Sequence, residues 1–293
     1  MPELPEVETI RRHLAPRLEG RRLQTLVVRD PRWCRPLAPD ALADACEGRR
    51  VERLDRRGKY LIVSLLGDVF LLMHLRMTGT LLFDAVPDVA YRRVTFGLDD
   101  GHELAFCDPR RFGTGELVLG PEALRAFFAS RLGLEPLAGA LTGPALRQLA
   151  RGRRTSIKAF LLDQRQIAGV GNIYADEALH RAGVHPLRPA GSLRPGQYAA
   201  LAKAVRDALQ AGLDAGGATI DDFRHPDGVR GGFQNDFLVH LRRGEPCGAC
   251  GTTIVKFVAG GRGTYACESC QPRPRPRRAP RRQDGAAGEQ AVP

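Results

Sequence analysis

The sequence predicts an α+β, multidomain chain: an N-terminal helix with many short antiparallel strands, as in a sandwich or barrel, then a helical domain, then a small metal-stapled module. Three observations predict it. Short strand signals separated by turn pairs fill residues 22–120. Helical spacing replaces them from about residue 121. Four of the seven cysteines then fall in one block, Cys247-x2-Cys250-x16-Cys267-x2-Cys270. At 293 residues the chain can bury two cores.

Residues 4–19 read as the first helix, because Leu4, Val7, Ile10, Leu14 and Leu18 recur at three and four and Gly20 supplies a stop. Pro16 is expected to kink or shorten its last turn. Strands are expected at 23–29, 51–56, 59–66, 69–76, 79–84, 93–98, 103–107 and 115–119. Gly67-Asp68 and Asp100-Gly101 mark turns, and Val94, Phe96 and Leu98 alternate with Arg93, Thr95 and Gly97 as in a half-exposed strand. Helices are expected at 122–131, 143–151, 156–164, 173–182 and 197–215, with a linker at Pro136 and Gly139. A Gly-rich loop spans 216–232. The tail from Gln271 onward alternates Pro and Arg, lacks core residues and is expected to be disordered.

The cysteine block matches a tetrathiolate site for one structural Zn2+, each Cys-x-x-Cys turn offering two thiolates. The sixteen-residue spacer is long enough for a hairpin that returns the second pair. Disulfides are the alternative, and the absence of a secretion signal argues against them. Cys34, Cys46 and Cys107 are scattered and read as small buried apolar residues. No apolar run approaches the roughly 20 residues of a membrane span. The cytoplasm is the expected compartment.

Net charge is +11, from 44 Lys and Arg against 33 Asp and Glu. That surplus suits a polyanionic partner, nucleic acid first. An Arg-rich proteome would give the same composition.

The chain opens Met1-Pro2-Glu3-Leu4-Pro5-Glu6. Removal of Met1 would leave Pro2 as a secondary amine. An α-amine has a pKa of about 7.7–8.0, so a useful fraction is neutral without burial. Such an amine attacking an aldehyde-level carbon gives an iminium, an electron sink. Glu3 stands beside it as a general acid or base requires. The plain reading of the same residues is a common second residue and a helix N-terminal charge. Further along, Gly169-Val170-Gly171-Asn172 opens a helix, the arrangement of a phosphate seat and equally of a simple helix corner.

These motifs, together with Gly58-Lys59-Tyr60, His74-Leu75-Arg76-Met77, Asp108-Pro109-Arg110-Arg111-Phe112-Gly113 and Gly244-Glu245-Pro246-Cys247, occur in one family order. The sequence closely resembles the bacterial formamidopyrimidine-DNA glycosylase (8-oxoguanine DNA glycosylase, MutM/Fpg) family over residues 1 to about 271. Leu4 resembles this branch rather than the related endonuclease VIII branch, which prefers Gly there. The resemblance implies domains at 1–134 (β-sandwich), 135–240 (helix–two-turn–helix) and 241–271 (zinc finger), followed by a tail at 272–293. It implies a monomeric, nucleoid-associated, cytoplasmic base-excision-repair enzyme acting on double-stranded DNA with oxidised bases, with DNA in the cleft between domains.

It also implies a mechanism. The damaged purine is flipped out, since C1′ cannot be reached inside the stack. Pro2 attacks C1′, Glu3 protonates the opening sugar, and the Schiff base permits β- and δ-elimination. Lys59 matches a lysine near this chemistry, and Arg262 a helper in the second elimination. Met77, Arg110 and Phe112 match residues that fill the vacated hole, an apolar wedge being a known kinking device. His74, Arg153, Lys158 and Asn172 match DNA-binding positions, Lys158, Asn172, Arg153 and Arg262 gripping phosphates. Taken alone, Phe112 and Met77 would read as core.

This chain departs from the family pattern in three places. Tyr91 stands where the family often has His, and its phenol could still donate to a phosphate. Ala266 stands where an aromatic is common, which implies looser packing of finger on DNA. The 217–232 loop, which in the family folds over the flipped base, is the least recognisable segment. Two other functions fit: the same chemistry on oxidised pyrimidines, and a non-catalytic zinc-finger damage sensor. Only Pro2, Glu3 and Lys59 separate the sensor from the enzyme.

Overall fold

The computed structural model describes residues 1–220 and 223–274, so most of the expected tail lies outside the described residues. Helix α1 (Leu4–Leu18) begins at Glu3, with Pro5 in a first turn where its missing N–H costs nothing. Pro16 does not end it early; the helix runs on to Leu18. Val7, Ile10, Leu14 and Leu18 pack into the sandwich core, whereas Leu4 packs into the core of the helical domain. One helix thus enters both cores.

All eight expected strands form: β1 (Leu23–Val28), β2 (Val51–Arg57), β3 (Tyr60–Leu65), β4 (Val69–His74), β5 (Thr80–Phe83), β6 (Arg92–Leu98), β7 (Glu103–Cys107) and β8 (Thr114–Leu119). They pair antiparallel into two four-stranded sheets, β1-β6-β7-β5 and β2-β3-β4-β8. A 3-10 turn (Pro31–Cys34) and helix α2 (Pro39–Cys46) interrupt the stretch expected to be all strand. Helix α2 buries only Leu42 and Cys46, too few apolar positions to show a helical stripe in the sequence. Cys34, Cys46 and Cys107 are buried as expected, and burial pushes the Cys46 thiol up to about 12.

Every residue of β3 is buried. Leu61, Val63 and Leu65 face the sandwich core, while Tyr60 and Ile62 pack with Phe127, Phe128 and Leu132 in and after helix α3 (Pro121–Ala129). A strand covered on both faces reads as a continuous apolar run. The linker is pinned by Glu135, which accepts from Arg56 at 2.7 Å, Arg57 at 2.9 Å and the Gly58 N–H at 3.0 Å. Gly58 turns there at φ +56, a backbone conformation L side chains rarely adopt. That turn delivers Lys59.

The helical domain comprises α4 (Gly143–Ala150), α5 (Ile157–Leu162), α6 (Asn172–Arg181) and α7 (Pro195–Asp214). Tyr174 on α6 stacks on Phe233 with ring centroids 5.3 Å apart. The C-terminal hairpin is β9 (Val255–Ala259) and β10 (Arg262–Ala266). Ala266 is fully buried, so its small side chain faces the module's interior and not a DNA surface. Among the described residues no helix is long and apolar enough to cross a membrane.

Because Leu4 joins α1 to the helical core, Leu4→Ala should lower stability by about 2–5 kcal/mol. Urea unfolding checks this, and Leu141 and Val170, members of that same core, give the matching controls.

Candidate active site

Pro2 and Glu3 are both buried at the start of α1. Two cavities open there. The smaller, about 180 Å³, is bordered by Met1, Pro2, Met77, Arg110 and Phe223. The larger, about 350 Å³, is bordered by Met1, Glu3, Lys59, His74, Asn172 and Arg262. Met1, Met77, Ile173 and Ile220 border both, so the two cavities adjoin at the chain start.

Glu3 Oε1 accepts the Ile173 N–H at 3.0 Å, at the N-terminus of α6. The glycine turn before α6 therefore serves an internal carboxylate at this N–H, which is not open to a phosphate. A side chain on Gly171 would overlap the Glu3 carboxyl, which is why this turn is bare. Glu3 Oε2 is buried without a hydrogen-bond partner among the described residues. An orphaned carboxylate oxygen is costly unless a reacting partner uses it.

Glu6 carries no special signal in the sequence, yet it is fully wrapped. It accepts from Glu3 N at 2.8 Å, Tyr174 OH at 2.7 Å and Ala218 N at 2.8 Å. Burial, with Glu3 close by, raises its pKa despite these donors.

Lys59 is buried, and desolvation lowers its pKa against the pull of Glu3 and Glu6, with Arg262 adding to the drop. His74 Nδ1 accepts the Arg76 N–H at 3.0 Å, which assigns the remaining proton to Nε2. Burial, then Arg76 and Lys59, push its pKa down to about 3. His74 is thus a neutral donor toward the cavity it borders.

The loop expected to form the wedge is held by a buried acid. Asp108 accepts from Thr78 Oγ1, from Arg110 N at 3.2 Å and from Gly113 N at 2.8 Å. Between them Arg111 sits at φ 60 and its guanidinium donates to Asp30 at 2.7 Å. Phe112 is left 51% exposed, with the Arg110 guanidinium 4.9 Å from its ring centre. Tyr91 is exposed next to this loop, its carbonyl accepting Asp108 N at 3.0 Å.

Lys158 differs from its expected place. It is fully buried, 2.7 Å from Asp176, and donates to Gly263 O at 3.1 Å and Thr264 Oγ1 at 2.8 Å. Burial lowers its pKa while Asp176 opposes the drop. Asn172 Nδ2 donates to the same Gly263 carbonyl at 3.1 Å. Both side chains seat the hairpin so that exposed Arg262 reaches the cavity. Asp176 also takes His240 Nδ1 at 2.8 Å, and Glu177 accepts the Leu238, Val239 and His240 N–H groups at 3.0 Å each. The sequence carries no clear signal for this pair, because the same helix also holds polar Asn172, His180 and Arg181. Arg153 stays exposed in the turn between α4 and α5 and borders neither cavity.

Three family models match consecutive parts of the chain. They are the formamidopyrimidine-DNA glycosylase N-terminal domain at residues 1–115, its H2TH domain at 132–224, and the zinc finger found in FPG and IleRS at 244–273. The formamidopyrimidine-DNA glycosylase of Methylobacterium sp. (strain 4-46) is 44% identical over 94% of this chain and 100% of its own length. That of Alkalilimnicola ehrlichii is 45% identical over 92% and 100%. This chain belongs to the formamidopyrimidine-DNA glycosylase family. Among solved structures, MutM (Fpg) from Thermus thermophilus superposes with TM-score 0.83 at 43% identity, covering 92% of this chain and 98% of that one. A Lactococcus lactis Fpg mutant in complex with Fapy-dG containing DNA superposes with TM-score 0.87 at 33% identity, covering 93% and 100%.

The glycosylase's four finger thiols fit one structural zinc. Their sulfurs lie within 4.8 Å of one another, with pairs at 3.4, 3.5 and 3.9 Å. A tetrahedron with Zn–S near 2.3 Å requires about 3.8 Å between sulfurs. His180 Nε2, 3.4 Å from the Cys247 sulfur, is placed to donate to that thiolate. With four protein ligands no position is open, so zinc here holds structure and does no chemistry.

Chelating the zinc should unfold the finger and weaken DNA binding, read by circular dichroism and a gel-shift titration. His74 should make the fold acid-sensitive. Its folded pKa lies below the unfolded value, so the unfolded state takes up the proton first, and stability falls as pH drops from 6.5 towards about 3. The loss approaches about 1.4 kcal/mol per pH unit inside that window. A His74→Gln variant should show a shallower decline in urea titrations at pH 6.5 and 4.5.

Proposed function

We propose that this glycosylase excises oxidised purines, 8-oxoguanine and formamidopyrimidines, from double-stranded DNA and then cleaves the strand as a lyase. The observation that carries the reading is the placement of Pro2 and the orphaned Glu3 oxygen where two cavities meet, between buried Lys59 and the Arg110–Phe112 wedge. The complexes of Lactococcus lactis Fpg with Fapy-dG and with abasic-site DNA support the same partner.

With Met1 removed, the Pro2 nitrogen attacks C1′ of the flipped nucleotide, and the C1′–base bond breaks with its electron pair leaving on the protonated base. Glu3 gives a proton to O4′ as the sugar ring opens, leaving an iminium between Pro2 and C1′. The iminium acidifies the C2′–H bond. Loss of that proton expels the 3′ phosphate, and a second loss expels the 5′ phosphate. Lys59, held with a lowered pKa, is suited to accept such a proton. Neutral His74 donates through Nε2 and Arg262 supplies charge, so both suit the flanking phosphates. Phe112 and Met77 take the space of the extruded base, and Arg110 reads the orphaned cytosine. Lys158 and Asn172 contribute by holding the hairpin, with the free Asn172 Oδ1 left buried toward the site.

A second reading, oxidised pyrimidines, is favoured by one observation: Lactococcus lactis Fpg is also known in complex with an oxidised pyrimidine containing DNA.

Borohydride should trap the protein on an 8-oxoguanine:C duplex as a covalent adduct resolved by denaturing gel. Pro2→Gly should cut trapping and cleavage by about 10²-fold or more, the scale of losing an activated nucleophile. Full-rate trapping by that variant would remove Pro2 as nucleophile. Faster cleavage of thymine glycol:A than of 8-oxoguanine:C would select the pyrimidine reading. Tight binding of lesion duplex without cleavage, by protein shown by intact mass to begin at Pro2, would select a damage sensor.

A further inference from the structure

The loop leaving α7 returns across α1 before reaching the zinc module. Phe223 inserts into the sandwich core, and Pro226 O accepts the Phe83 N–H at 2.8 Å. At this crossing His13 of α1 meets His225 and Asp227 of the loop. One ligand atom from each lies within 4.8 Å of the other two. His13 Nδ1 and Asp227 Oδ2 are 3.9 Å apart, and the two imidazole rings stand 4.9 Å apart edge to face.

That separation is too long for a hydrogen bond. Two such ligands on one tetrahedral ion at about 2.1 Å each stand about 3.4 Å apart, so these two partly exposed side chains need to close by only about half an ångström to share one. The His225 tautomer points the same way. Its Nε2 lies 2.7 Å from the Gly216 carbonyl, which can only accept. The ring therefore donates through Nε2 and carries its lone pair on Nδ1. An imidazole whose other nitrogen is committed to a backbone carbonyl is the usual state of a metal-bound histidine. His225 Nδ1 makes no hydrogen bond among the described residues. The neighbouring cation Arg17 is turned onto the Phe83 ring, 5.1 Å from its centre.

We propose that His13, His225 and Asp227 form a second metal site, for a borderline divalent transition ion of the Zn2+ class, which clamps the loop onto α1. Two nitrogens and one carboxylate select that class over Mg2+ or Ca2+, which demand oxygen. Water would complete the coordination shell. The site borders neither cavity at Pro2, so it acts on loop position and is independent of which residue is the nucleophile.

The test uses the full chain with its finger already loaded with zinc, titrated with Co2+. A further equivalent should bind, with visible d–d absorption and no new sulfur-to-cobalt charge-transfer band, because no thiolate contributes. His13→Ala and Asp227→Asn should each lose this equivalent while keeping the finger zinc. Both side chains are partly exposed, at 35% and 38%, so these variants are expected to fold. Amide exchange at residues 224–229 should slow with added ion in the unsubstituted protein only. Binding of no further equivalent, or its retention in either variant, overturns the proposal, as does a new charge-transfer band, which would place the ion on the finger cysteines.

Discussion

Two carboxylates buried at the first turn of α1 hold this molecule together at its working point. Glu3 takes the first-turn amide of α6, and Glu6 takes Tyr174 OH and the Ala218 amide. Each is on the sandwich side of the cleft by sequence, and each accepts from the helical side, while Glu3 Oε2 stays unpartnered among the described residues. Separating the domains would strand buried acids and donors alike, a loss of several hydrogen bonds in a low-dielectric place. The chain start is therefore fixed by polar contacts that only the docked domains supply. Leu4, which enters the helical core while its helix serves the sandwich, adds the apolar half of the same joint.

A second pair of acids performs the equivalent task for the finger. Asp176 and Glu177 follow on α6 just after Ile173 and Tyr174, the donors to Glu3 and Glu6, so one ten-residue helix orients three parts of the protein. Glu177 gathers three consecutive amides of the segment leading to the finger. Asp176 with Lys158 and Asn172 fixes the hairpin turn that carries Arg262. A buried ion pair contributes little net stability but is damaging to break, so its value here is in fixing one geometry.

The surface chemistry divides along the same lines. The excess of 11 positive charges is spread over the chain and attracts a polyanion from a distance without choosing a site on it. Specific geometry is confined to a few groups: Arg110 and Phe112 above Asp108, neutral His74, and buried Lys59. The Asp108 carboxylate ties Thr78, beside Met77, to the Arg110–Gly113 loop. This presentation costs Arg111 a left-handed backbone, which Asp30 secures.

The sequence by itself determined the order of the parts. Apolar patterns located all eight strands and five later helices, because a half-covered element writes its period into the chain and a strand covered on both faces, such as β3, writes a continuous apolar run. It determined the zinc ligands, since two Cys-x-x-Cys turns close one tetrahedron locally. It missed α2, whose two buried residues leave no stripe. Only the tertiary structure decided what the polar residues do. Lys158 matches a phosphate-gripping position and is a buried strut. The Gly169–Asn172 turn reads as a phosphate seat, yet the Ile173 amide it presents receives Glu3. Glu6, Asp108, Asp176 and Glu177 read as ordinary acids and organise the site. A charge's role depends on which donors and how much water surround it, and residues up to 212 positions apart supply those surroundings.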